Sequence, residues 1–115
     1  MEFHEVQKLA VQQLQALEKE RLAQQAVADY EQAVEHAKAR IIGEAYQNGE
    51  IDKRNKDTRS AGEARVLTES ERYQILLDKK HLAEEVADKA AIDRRYFDTL
   101  ISLTKAWLYS QARIG

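Results

Sequence analysis

No proline occurs in the 115 residues, and glycine stands only at positions 43, 49, 62 and 115. A chain with so few backbone breakers, whose apolar residues recur every three or four positions, is confined to long helices. Residues 2–47 meet a single breaker, Gly43. Their apolar positions form two sets, Phe3, Val6, Ala10, Leu14 and Leu17, then Ala23, Val27, Tyr30, Val34, Ala37, Ile41 and Ala45. The second set steps by four and three, as a coiled-coil seam does. Between the sets, at "EKER" (18–21), the phase slips by about one residue, which predicts a local stammer.

Asn48-Gly49 predicts the stop, because either residue tolerates the left-handed conformation that ends helices. The connector, 48–68, reads first as a charged loop with Ile51 its one large apolar residue, then as a short helix over 58–67 weakened by Gly62. In "TESE", Thr68 with Glu71 three residues on predicts a capping box that opens a second long helix, 69–113. Its seam is Tyr73, Leu76, Ala83, Val86 with Ala87, Ala90, Phe97, Leu100 with Ile101, Thr104 and Leu108. The expected fold is all-α: one domain, 1–115, built as an antiparallel hairpin of two long coiled-coil-like helices joined by a short helix.

Two helices bury only one stripe each. Ile92, Tyr96, Leu103 and Trp107 fall off the main seam and widen the apolar arc near the C-terminus. An apolar arc of that width predicts self-association, with Tyr96, Phe97, Leu100, Ile101, Trp107 and Leu108 at the homo-oligomer interface.

Few chemistries fit these residues. The sequence has no cysteine, which removes disulfides and thiol catalysis and suits a cytoplasmic setting. His4, His36 and His81 stand alone; Asp78-x-x-His81 has no mate of the kind a di-metal bundle needs, so no metal site is expected. "GEIDKRN" lacks the Gly-Lys-Ser/Thr ending of a phosphate-binding loop. The carboxylates alternate with Lys and Arg along helix faces, as solvated helices do. Neither an enzyme nor a cofactor is expected. No apolar run approaches the roughly 20 residues that span a bilayer, and the start "MEFHEVQK" is too polar for a signal peptide.

The 18 basic and 20 acidic residues nearly cancel, to −2, so any nucleic-acid contact must come from a local patch. Residues 1–47 hold five basic and eight acidic residues. Two regions reverse that balance. In the connector, Lys53, Arg54, Lys56 and Arg59 stand against Asp57. From Lys89 on, Arg94, Arg95, Lys105 and Arg113 are interleaved with Tyr96, Trp107 and Tyr109. Cations among aromatics suit single-stranded nucleic acid, where charge follows phosphates and rings stack on bases. The expected contacts are Lys53, Arg54, Lys56, Arg59, Arg94, Arg95 and Lys105.

The second half, from "RSAGEARVLTESERYQILLDKK" through Arg95-Tyr96-Phe97 to Trp107, Arg113 and the last glycine, resembles the recombination mediators of tailed phages, the UvsY-type proteins. The resemblance covers about half the chain and lies in spacing. It implies a helical-hairpin protomer in a ring-like homo-oligomer that binds single-stranded DNA, with a recombinase and a single-strand-binding protein as partners. The expected function is a non-enzymatic homo-oligomer acting in DNA recombination. The alternative is a small phage-type inhibitor or adaptor whose apolar C-terminal face binds a host protein, such as a nuclease or defence complex.

Overall fold

The structure, a computed structural model, describes residues 2–114, the side chain of residue 114 excepted. The protein is an all-α helical hairpin of α1 (Phe3–Gln47), α2 (Lys56–Glu69) and α3 (Glu71–Ile114). Among the described residues no helix is long and apolar enough to cross a membrane. The chain forms two compact units, one of Met1–Gln25 with Glu84–Gly115, the other of Ala26–Ala83.

In the second unit α1 ends as Asn48-Gly49 dictates. Gly49 takes φ +72°, and the amides of Gly49 and Glu50 donate back to the carbonyls of Tyr46 (3.2 Å) and Ala45 (2.9 Å). This is a Schellman closure, which glycine enters without the steric cost a Cβ would bring. It turns Ile51 inward. Ala45, Ile51 and Val66 form a small buried core, with Ile41, Ile42 and Tyr46 packed against it.

The connector is more ordered than a charged loop. Asn55 caps α2: its side-chain oxygen accepts from the Thr58 amide at 2.9 Å, and its own amide donates to the Thr58 hydroxyl at 3.3 Å. The helix therefore starts two residues before Thr58, because Asn55 offers a cap oxygen and Asp57 an acid in the first turn. Arg65 donates to the Glu50 carbonyl at 2.7 Å, and Tyr46 to Glu63 at 2.8 Å, tying α2 to the end of α1.

Thr68 is not the cap of the second long helix. It lies inside α2, where its hydroxyl donates to the Ala64 carbonyl at 2.9 Å. Ser70 is the single residue between the helices, in an extended conformation, and its hydroxyl oxygen accepts from the Tyr73 amide at 3.3 Å. A serine competes for the cap as well as a threonine does, and α2 runs on far enough to absorb Thr68. Ser70→Ala is expected to cost about 1 kcal/mol, and Thr68→Ala well under half of that, in urea unfolding followed by circular dichroism.

In the first unit α1 and α3 run antiparallel. Gln13 donates to Asp98 at 2.9 Å and Arg94 to Glu20 at 2.6 Å, so numbers rise on one helix as they fall on the other. The inward face of α1 is Leu9, Gln13, Ala16, Glu20 and Ala23, at four-three spacing in phase with Val27, Tyr30 and Val34. The expected slip at 18–21 is absent from this burial pattern. Leu14 and Leu17, expected on the seam, are exposed, and Phe3 is 76% exposed. Polar residues hold their places: two of the inward positions are Gln13 and Glu20, and α3 answers with Arg94 and Asp98.

Candidate functional site

Among the described residues the first unit buries Ala16 and Ala23, sets a polar cluster among half-buried apolar residues of the seam, and leaves large apolar side chains exposed. Arg94, at the centre of the seam, donates to Glu20 at 2.6 Å and to Asp98 at 2.9 Å. These two carboxylates raise the guanidinium above its already high value. Hydrogen bonds from Gln13 and then Arg94 hold the Asp98 carboxyl below the usual range. These groups lie among Leu9, Phe97 and Ile101, which are half-buried on the same seam.

Other large apolar residues are outside. On α1, Val11, Leu14, Leu17 and Leu22 are exposed; on α3, Val86, Ile92, Tyr96 and Leu103 are too. Three of the α3 residues, Val86, Tyr96 and Leu103, follow a second four-three series beside the inner seam: Val86, Lys89, Asp93, Tyr96, Leu100, Leu103 and Trp107. Beside this series, between α1 and α3, lies an open groove of about 620 Å³. Its lining includes the small residues Ala16, Ala23 and Ala90 and the larger Leu22, Val86 and Phe97.

The expected interface residues divide between two faces. Phe97 and Ile101 are half-buried on the inner seam, and Leu100 is half-buried on the outer series. Tyr96 is 60% exposed and meets Phe97 edge to face, ring centroids 5.4 Å apart. Trp107 and Leu108 are exposed near the end of α3. Sequence reasoning missed the outward place of Leu14 and Leu17. The signal was present: counting the Ala23–Val34 repeat backwards in steps of three and four reaches Glu20, Ala16 and Gln13, not the leucines.

The expected nucleic-acid contacts are partly occupied. Arg94 is held in the seam, away from solvent-borne phosphates. Arg54 pairs with Asp52 at 2.7 Å, a further acid of the connector. The Lys53 ammonium sits 5.5 Å over the Tyr46 ring. Lys56, Arg59, Arg95 and Lys105 are exposed. The first two of these lie in the second unit and the last two in the first.

His4, His36 and His81 are all exposed, and among the described residues no three His, Cys, Asp or Glu side chains stand together as metal ligands. A second open groove, about 840 Å³, is lined by His36, Arg40, Glu44, Glu71, Arg72 and Lys79 among others. Its charges are of both signs, and Arg40 donates to Glu44 at 3.1 Å. Comparison with protein-family models, with curated proteins and with solved structures gave no match.

Proposed function

We propose that this chain is a non-enzymatic helical protein that works as a homo-oligomer and, in that form, acts in DNA recombination by binding single-stranded DNA, a recombinase, or both. The observation that supports it is the apolar surface that the first unit leaves exposed, with Leu14, Leu17, Tyr96 and Leu103 outside while Arg94, Glu20 and Asp98 pair across the half-buried seam. An exposed apolar surface of this extent marks an interaction site. Repeated copies also multiply the four exposed cations, Lys56, Arg59, Arg95 and Lys105, beyond what one chain of net charge −2 offers.

The test is binding of a labelled single strand across a salt series. The logarithm of the affinity is expected to fall with the logarithm of salt by about 0.7 per phosphate neutralised. Changing Lys56, Arg59, Arg95 and Lys105 to Gln is expected to flatten that slope while leaving the oligomer intact. An unchanged slope removes the DNA contact from these residues.

A second reading follows from Arg94, which is held by Glu20 and Asp98, and from Arg54, which pairs with Asp52 on the surface. If the wild-type protein binds no single strand at any salt, the apolar surface serves another protein. The chain is then an inhibitor or adaptor of a host nuclease or defence complex.

A further inference from the structure

We propose that the groove between α1 and α3 in the first unit is a symmetric self-association site, in which a second copy docks antiparallel so that Lys89 of each chain faces Asp93 of the other. The inference rests on the homo-oligomer reading and names its contact. Lys89 and Asp93 line the groove, one helical turn apart on α3, between the exposed apolar residues Val86 and Tyr96. Among the described residues, neither has an ion-pair or hydrogen-bond partner for its side chain. The order Lys then acid four residues later is the weaker one for a pair along a helix. Two opposite charges thus stand unmatched in an otherwise apolar series at coiled-coil spacing.

The occupant must supply an acid opposite Lys89 and a base opposite Asp93, on a helix with the same four-three repeat. A second copy of α3, turned end for end, meets each requirement. Setting residue 89 against residue 93 also sets Val86 against Tyr96, twice, by symmetry. It puts each charge opposite its complement at the centre of an isologous contact. Leu22, on the α1 wall, adds apolar surface beside it.

The competing alignments fail on charge. A parallel copy in register stacks Lys89 on Lys89. An antiparallel copy moved by one heptad sets Lys89 against Val86 or Leu100 and leaves a charge against apolar side chains without a partner. The register is therefore fixed by the two charges, much as polar residues at seam positions fix partner and alignment in coiled coils.

The test uses the full-length chain in light scattering, with circular dichroism to confirm that each variant stays helical. Lys89→Asp and Asp93→Lys, made singly, each place like charges at the contact, and each is expected to lower the mass of the assembly by half or more. Mixed in equal amounts, the two variants carry complementary charges and are expected to regain the wild-type mass. The double variant Lys89→Asp/Asp93→Lys is expected to assemble like wild type. Helical single variants that keep the wild-type mass, or a mixture that stays dissociated, overturn the site while leaving the homo-oligomer reading in place. A wild-type protein that is itself monomeric removes that reading first.

Discussion

Replacing Ile51 by Ala is expected to destabilise the second unit by about 3 kcal/mol. Ile51 is only 4% exposed and sits in the small core that joins the end of α1 to α2. That core has no large side chain to spare, because its other buried members are Ala45 and Val66. Truncation leaves a void that neither Ala45 nor the glycine opposite can fill. The contact with Gly62 sharpens the test. A Cβ built on Gly62 would come within 2.9 Å of the Ile51 Cγ2 atom and 3.4 Å of its Cβ and Cγ1. Alanine is a better helix former than glycine by about 1 kcal/mol, yet Gly62→Ala in the wild type is expected to lose stability through overpacking. In the Ile51→Ala background the Cγ atoms are gone, and the same Gly62→Ala change is expected to gain it. A double-mutant cycle in urea, read by circular dichroism, gives the sign directly. Additive effects of the two changes would mean that the connector does not pack on α2.

Tyr96→Asp is expected to leave the hairpin folded and to weaken self-association on the order of a hundredfold, which corresponds to about 2.7 kcal/mol. Tyr96 is 60% exposed in the single chain, so a carboxylate there stays in water and gives up only the edge contact with Phe97. In the proposed assembly the same position faces Val86 of the other copy, where an unpaired charge loses its hydration. The two effects separate cleanly: unchanged ellipticity and unfolding midpoint, with a loss of mass in light scattering. The comparison is Ile101→Asp, on the inner seam, which is expected to damage the hairpin itself.

Much of the fold was legible in the sequence, and the reasons are local. Missing proline and the Asn48-Gly49 stop bound α1 closely, since each acts through backbone geometry that neighbours cannot override. The cap of α3 was misplaced by two residues because Thr68 and Ser70 compete on nearly equal terms. What decides between them is where α2 ends, at Glu69, with Ser70 as its C-cap and the Ser70 amide donating to the Leu67 carbonyl. The seam of the first unit was misread for a different reason. Apolarity pointed to Leu14 and Leu17, whereas long-range pairing of Gln13 with Asp98 and Glu20 with Arg94 set the inward face. A polar pair joining residues more than seventy positions apart has no local signal beyond the phase of its own repeat. The same pairing explains why Arg94 was read as a nucleic-acid contact: an arginine among aromatics looks free until its partner helix is in place.

The proposed function requires that other copies of the chain cover the apolar outer surface of the first unit. Light scattering of the wild-type protein, coupled to size exclusion and taken from about one to about a hundred micromolar, tests it most directly. The account predicts a mass of two chains or more that falls toward one on dilution, together with a heat-capacity change of association that is negative, as burial of apolar surface requires. A single-chain mass throughout that range would contradict it.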